Sequence, residues 1–499
     1  MALIGKTGPD NISARFDYDI VRALTGNDWV GSDGLVGTEL YGDAGNDVIV
    51  TLYDNPNLTA GPTLTWSQFG GEGGDTLYSN VSGSYAADAY VYANGEEHND
   101  RITAIAGTWR NYSATLIGGL YDDWVDVRAT PNGDSHGNSF DIFIDVGDSA
   151  NSVTAYSGSD GIWDAFNNAS LTIKGGINND VISAIAHGHR GYGIITIDSS
   201  DGNDTIFADA YGGTASGATG TNLITTAKGG DIITAVTAGT NTIDSGEHND
   251  IVKATAVAHG VAETLTNDVT AGSGNDQVRA EILVAATGVA DSGATRLTNI
   301  VHGDDGTDVI HAIISGQAED YAGGGLARNE LYGGNHNDTL TGELAGTYPG
   351  QNWLEGGLGN DLLTVIGGEG NYLGGDGGRD TLFGGAGADV LSGGTGEDTM
   401  TGGGGADTFV FDLSVTGTDI IRDFQSDDRL HFVGLEDHGA PGLMDDLAEV
   451  TWVKDTGVDV RVRLDNGAPI VFEGLGDGTI NSLDDFLSAS QIVSDPWLA

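Results

Sequence analysis

The sequence contains no cysteine in 499 residues. That excludes disulfide staples and thiolate metal sites. It is also poor in positive charge: 19 Lys and Arg stand against 73 Asp and Glu, a formal net charge of −54. Nucleic acid and anionic membranes need a basic surface, so neither is expected as a partner. No 18-residue apolar run is present to span a membrane, and "MALIGKTGPDNISARF" lacks the apolar core of a secretory leader. These absences alone would place the chain in the cytosol. No His-Glu-x-x-His or Gly-x-Ser-x-Gly motif occurs, and no long apolar helix suits a pore-forming toxin.

What the chain has is glycine, 82 residues of it, without the three-residue period of collagen. A hydrophobic content of 39 % is enough to fill a core. Such length and glycine content predict a repeat architecture. Residues Gly384–Phe411, "GGAGADVLSGGTGEDTMTGGGGADTFVF", are three consecutive nonapeptides of the form Gly-Gly-x-Gly-x-Asp-x-apolar-x. With the sixth-position aspartate as an anchor, the pattern continues backwards through Asp380, Asp361, Asp338, Asp308, Asp276, Asp250, Asp231, Asp204 and Asp180. It passes a degenerate anchor at Asn151 and runs on through Asp123, Asp100, Asp75, Asp47 and Asp28 to Asp10. The mean spacing is about 25 residues, in the range of solenoids. After Asp380 it shrinks to nine, giving Asp389, Asp398 and Asp407.

Two residues after each of these long-spaced anchors stands an apolar side chain, as in Val30, Ile49, Ile182, Ile310 and Leu382. In many coils small or apolar residues follow at four and six, as in Ile182-Ala184-Ala186. This alternation marks a strand with one inward face. Seven residues before the anchor another apolar residue recurs, from Ile144 to Leu373. Each unit therefore reads as strand, glycine turn, strand. Nine residues before the anchor seven successive units carry asparagine: Asn222, Asn241, Asn267, Asn299, Asn329, Asn352 and Asn371. Stacked coils whose amides bond to one another explain a column of that kind. The fold expected is all-β, a parallel β-helix or β-roll solenoid of about 15 long coils. Residues 1–374 form the long coils, 375–411 the tandem nonapeptide roll, and 412–499 a β-rich cap.

Glycine supplies the positive φ that so tight a turn requires. At the fourth motif position His98, His248, His336 and Asn178 replace it, residue types least penalised in the left-handed region. Tyr121 breaks this rule and puts the unit at Asp123 in question. Anchors stacked roughly 5 Å apart would repel one another, so a hard cation with oxygen ligands is expected between them. Calcium suits all-oxygen turns better than magnesium does. The expected ligands are Asp28, Asp47, Asp75, Asp100, Asp180, Asp204, Asp231, Asp250, Asp276, Asp308, Asp338, Asp361, Asp380, Asp389, Asp398 and Asp407, with the turn glycines Gly375, Gly384, Gly393 and Gly402.

These motifs resemble the haemolysin-type calcium-binding repeat (RTX) family. Five copies are unbroken: Gly70–Tyr78, Gly356–Thr364, Gly384–Ser392, Gly393–Thr401 and Gly402–Val410. The long spacing before Gly367 departs from the family pattern and leads us to expect one calcium edge there, not two. "GADTFVFDLSVTGTDIIRDFQSDDRLHF" (Gly405–Phe432) and "VFEGLGDGTINSLDDFL" (Val471–Leu487) resemble the segments that follow the repeats in secreted RTX proteins. The resemblance implies multiple calcium ions, type I secretion through an uncleaved C-terminal signal, and an extracellular or cell-surface location in a Gram-negative bacterium. The closing "SDPWLA" is not a close match to the family's tail.

The function expected is structural: a secreted protein that folds outside the cell and self-assembles into a surface layer, filament or matrix. Only "MALIGKTGP" precedes the first anchor, so an open strand edge there would favour end-to-end stacking. The alternatives are an enzyme of the polysaccharide lyase or epimerase type, for which "YDDWVDVR" (Tyr121–Arg128) is the one local candidate, and an adhesin that binds cell-surface polysaccharide through variable loops such as "SGQAEDYAGGGLAR". "HGHRGYG" (His187–Gly193) reads as a solvated far-side loop, not a metal pair.

Overall fold

The computed structural model describes residues 2–14, 20–33, 37–54, 63–82, 88–107, 111–130, 138–158, 167–188, 191–212, 219–258, 264–284, 296–316, 326–345, 350–412, 414–433, 450–464, 468–480, Ser482 and Asp485. Among them are 41 strands and no helix long and apolar enough to cross a membrane. Residues 159–166, 317–325, 434–449 and 486–499 lie outside the described residues, with most of "SGQAEDYAGGGLAR" and all of "SDPWLA" among them. The chain forms two compact units, 1–265 and 266–499.

In the first unit each coil contributes one strand to each of two parallel sheets. The strand Thr38–Ala44 leads through a glycine turn to Val48–Asp54, and Leu64–Glu72 and Thr76–Ser82 repeat the pair one coil on. The register is strict: Ile49 faces Leu77, and Ile182, Ile206 and Ile233 follow one another across three strands. Both sheets turn alternate residues inward, so the apolar position two after each anchor is sealed from solvent, from Val30 to Leu382. Burying each such side chain contributes about 1.5–3 kcal/mol. Ala184, Ala186, Ala208 and Ala210 are equally buried and line the interior with small side chains.

The second unit is built the same way. Arg296–Asp305, Leu326–Asn335, Gly350–Gly359 and Tyr372–Gly378 pair in parallel in one sheet; Val309–Ser315, Thr339–Ala345, Leu362–Ile366 and Thr381–Phe383 pair in the other. In the tandem array one coil is two nonapeptides, 18 residues, so successive repeats alternate between the two edges. Beyond it Asp419–Ile421 and Arg429–Val433 extend the two sheets. The antiparallel strands Val450–Asp455, Val460–Leu464 and Pro469–Phe472 then close the unit, the last pairing with Asp419–Ile421.

The asparagine column is real in both units. Asn222 donates through Nδ2 to Asn241 Oδ1 at 2.8 Å and to the carbonyl of Val236 at 2.8 Å. In the second unit Asn267, Asn299, Asn329, Asn352 and Asn371 pass the same bond along at 2.7–3.0 Å. Each amide uses one N–H along the column and the other across to the facing strand, as Asn299 does to the Ile313 carbonyl. The column ends where Asn371 donates to Asp389 Oδ1 at 2.7 Å. The asparagines thus occupy, coil by coil, the edge position that aspartate takes in the tandem repeats.

Asn299→Ala should therefore cost about 1–3 kcal/mol, because it orphans a buried carbonyl and two neighbouring amides. The exposed Gln277→Ala should stay within about 0.5 kcal/mol. Urea unfolding of both variants in calcium checks this; equal midpoints would refute an energetically coupled column.

Candidate metal centres on the aspartate edge

The anchor aspartates form continuous ladders. In the first unit the backbone N–H of Asp28 donates to Asp47 Oδ1 at 2.7 Å, that of Asp47 to Asp75, of Asp75 to Asp100, and of Asp100 to Asp123. Asn151 bridges Asp123 and Asp180, and Asp204, Asp231 and Asp250 complete the column. In the second unit Asp276, Asp308, Asp338, Asp361, Asp380, Asp398 and Asp419 follow in the same way. Asp389, Asp407 and Asp428 form a separate ladder on the opposite edge, continuing the asparagine column. The four tandem anchors are thus divided between two ladders, Asp380 and Asp398 on one edge and Asp389 and Asp407 on the other. All anchors from Asp28 to Asp407 are buried, with at most 3 % of their surface exposed.

One carboxylate oxygen is used by the ladder; the other is not. Oδ2 of Asp47, Asp75, Asp100, Asp308, Asp338, Asp380 and Asp398, among others, is buried without a hydrogen-bond partner. In most coils it points at a glycine five residues upstream; Ala23, Ser199, Thr226, Ser245 and Ala271 stand there in the coils of Asp28, Asp204, Asp231, Asp250 and Asp276. A β-carbon on Gly70 would stand 2.5 Å from Asp75 Oδ2 and 2.5 Å from the Gly95 carbonyl of the next coil; Gly303 has the same distances to Asp308 Oδ2 and the Gly333 carbonyl. Gly384 repeats the arrangement with Asp389 and Gly402, and Gly375 with Asp380 and Gly393. Any side chain there would fill the cradle. Gly375, Gly384, Gly393 and Gly402, the turn glycines expected as ligands, each stand beside the Oδ2 of their own anchor. Their counterparts Gly42, Gly70, Gly95, Gly118, Gly175, Gly303, Gly333 and Gly356 hold the same position, always five residues before the anchor.

Asn151 shows what the cradle demands. Its Oδ1 takes the ladder bond like any anchor, and its Nδ2 donates to the carbonyls of Ser149 at 2.6 Å and of Gly147 and Gly175 at 3.4 Å. An aspartate puts an oxygen where Asn151 has an N–H, so oxygen faces oxygen. A proton or a cation must stand between them. The donor set is one carboxylate oxygen with turn carbonyls, all hard oxygens, and it fits calcium. In the Asp75 coil the residues that would hold the ion are Asp75, Gly71, Gly73 and Gly95. Among the described residues no three carboxylate or imidazole side chains converge, so each cradle draws on backbone oxygens instead.

Burial sets the electrostatics. Desolvation, reinforced by Asp75, Asp123 and Glu96, pushes the Asp100 carboxyl up to about 8 against the ladder bond that lowers it. Asp380 is likewise raised to about 8, Asp75 and Asp338 to about 7, and Asp47 and Asp361 to about 6, each chiefly by burial.

The turns correct two expectations. Tyr121 adopts the left-handed conformation at φ 85°, stacks on His98 of the preceding coil with ring centres 5.4 Å apart, and leaves Asp123 fully in the ladder. The unit is intact. His98, His248 and His336 are left-handed as expected, whereas Asn178 is not among the positive-φ residues; its amide donates to the Asp148 carbonyl instead. Within "YDDWVDVR", Asp122 accepts a bond from the Ala150 N–H, and Trp124 lies under the Arg101 guanidinium at 3.5 Å. His187 sits on a strand, not a loop, and meets Asp209 at 3.2 Å; His189 lies outside the described residues.

A recurrent signal escaped the reading of the sequence. The residue before the anchor is repeatedly asparagine, and its Oδ1 accepts an N–H from the next coil, as Asn27 does from Asn46, Asn179 from Asn203 and Asn337 from Asn360. The Asn-Asp dipeptide was its mark. Asp419, Asp423 and Asp428 were also missed: Asp423 receives the N–H groups of Gly402 and Gly403 at 2.9 and 2.8 Å.

Because the folded carboxyls bind protons more tightly than unfolded ones, protonation stabilises the cation-free fold. In chelator the melting temperature should fall as pH rises through about 6 to 8, the range to which these groups are raised. Calcium should abolish this fall and release protons on binding. Asp338→Asn, which supplies its own N–H, should melt higher than wild type in chelator at about pH 6.5, where protonation still supports the cation-free fold, and gain less from calcium. Asp338→Ala should melt lower in both. Scanning calorimetry separates these outcomes, and an Asn variant no more stable in chelator than the Ala variant would refute the oxygen-facing-oxygen account.

Comparison with known proteins agrees with this chemistry. The family model of the RTX calcium-binding nonapeptide repeat matches four copies, within residues 39–52, 316–344 and 374–409. No curated protein matches the chain. The third region spans the tandem glycine-aspartate array, and the other two include the cradles of Asp47 and Asp338. The ladder, its glycine cradles and this match together show that the chain carries RTX-type calcium-binding nonapeptide repeats.

Proposed function

We propose that the chain is a secreted structural protein whose solenoid is completed by extracellular calcium and which self-associates at the cell surface. The observation that carries this reading is the series of buried, unpartnered aspartate oxygens set against glycine carbonyls. A chain with this many cradles cannot close its turns at neutral pH without a counter-ion. Sites built from one carboxylate and carbonyls are weak, about 10⁻⁴ to 10⁻³ M as in extracellular modules. At cytosolic calcium the chain stays unfolded and suited to export; at millimolar calcium it folds. Proteins with RTX repeats are typically secreted by Gram-negative bacteria, which accords with this order of events.

Self-association is supported by the outer surface. Beside the aspartate edge Val181, Ile232 and Ile251 in the first unit are each about half exposed, at 54, 47 and 48 %. They follow the anchors directly; Ile232 and Ile251 are register partners on adjacent strands, and Thr205 stands between Ile232 and Val181. Rows of exposed apolar side chains mark interaction surfaces.

In excess chelator at pH 8 the far-UV circular dichroism of the purified chain should lack β signal, and millimolar calcium should restore it. Electron microscopy of the calcium form should show ordered polymers, which Ile232→Glu with Ile251→Glu should dissolve without loss of β signal. An unchanged β spectrum in chelator would sink the calcium reading. Monodisperse single chains in calcium would sink the structural one.

A further inference from the structure

The outer face of the second unit carries a groove of about 340 Å³. It lies on the sheet opposite the one that begins with the strand Val309–Ser315. Its rim is an aromatic ledge: Trp353 and Tyr372 occupy adjacent strands in register and stack with ring centres 4.1 Å apart and planes 24° from parallel. The stack stops there, because the register partner of Tyr372 on the next strand is Val390. Large outward rings thus give way abruptly to small side chains, and Val390, Ser392 and Val410 form the floor. Gln351 and His431 bring polar groups to the two ends.

We propose that this groove binds a neutral oligosaccharide. A pyranose ring has one apolar C–H face and a rim of hydroxyls, and it continues an aromatic stack where the protein's own rings end. A ring placed over Val390 meets Tyr372 with its C–H face, and its hydroxyls reach the Gln351 amide, the Ser392 hydroxyl and His431. The volume lies within the range of small-molecule sites, which combine apolar and aromatic walls with a few polar groups. The sugar is uncharged for two reasons. Arg328, the one guanidinium lining the groove, is already neutralised by Glu330 at 2.8 Å. A chain of net charge −54 repels a polyanionic glycan over a Debye length. The surface polysaccharide so recognised would anchor the solenoid, an activity separate from its calcium-driven folding.

The test is a titration of the full chain, folded in millimolar calcium, with hexaoses of glucose in β-1,3, β-1,4 and α-1,4 linkage and of mannose, and with polygalacturonate as the acidic comparison. Calorimetry should detect binding of at least one neutral hexaose. Trp353→Ala should weaken it at least tenfold. Val390→Trp, which completes the ring stack in place of the sugar, should abolish it, and Gln351→Ala should weaken it severalfold. Gln351 is exposed and Val390 only partly buried, so neither change touches the sealed core, and the calcium-dependent melting of both variants should match wild type. No binding by any neutral hexaose overturns the proposal. So does binding indifferent to Val390→Trp and Gln351→Ala, and so does preference for polygalacturonate. Because folding in calcium is verified first, a negative titration leaves the calcium reading standing.

Discussion

Every coil on the aspartate edge must find a partner for a carboxylate oxygen that the fold has turned away from water. One oxygen of each anchor is consumed by the N–H of the coil before it, and this bond sets the register of the stack. In the glycine-cradled coils, as at Asp75 and Asp308, the second oxygen is then held against carbonyls with no protein donor. Asparagine solves the same problem with an N–H of its own, as Asn151 does within the aspartate series and as Asn299 and Asn329 do on the opposite edge. The two edges differ in geometry: Asn299 spends its amide on the next asparagine and on the Ile313 carbonyl, whereas Asn151 spends its own on turn carbonyls. The asparagine edge is self-sufficient. The aspartate edge answers to pH through the raised carboxyls, and the same oxygens are the ones that would hold calcium.

The glycine content follows from this constraint. Where glycine opens the turn, its missing β-carbon is the space that the Oδ2 atom and the next coil's carbonyl share; Ala23, Ser199, Thr226, Ser245 and Ala271 hold that place in other coils. The fourth position of the motif is more tolerant, and His98, Tyr121, His248 and His336 take its left-handed conformation with the ring directed outward from the turn or against a neighbouring ring. The net charge has a related origin. The stacked aspartate anchors add negative charge to a chain that has only 19 Lys and Arg to set against 73 Asp and Glu.

Because ladders, core alternation and glycine turns fix the backbone, the outward residues of the strands are free to vary without loss of fold. That freedom appears as stacked outer rings in several places, Tyr41 on Phe69, His302 on Tyr332 and Trp353 on Tyr372. It is also where recognition can be added to a structural repeat.

Much of this was open to inspection in the sequence, because a repeat prints its own geometry. The anchors, the apolar residues two after and seven before them, and the asparagine column all recur at constant offsets, and a constant offset in a stacked fold means a constant place in space. Tyr121 misled for the opposite reason: a single residue was judged by its intrinsic φ preference, while stacking on His98 and the register of its neighbours outweighed that preference. Tertiary structure alone decided which carboxylate oxygen remains unpartnered, that Asp389 and Asp407 stand on the edge opposite Asp380 and Asp398, and that Trp353 and Tyr372 end a ring stack above Val390. Each depends on which coil lies next to which, with 18 to 32 residues between neighbours, and loops of unequal length conceal that adjacency from any reading along the chain.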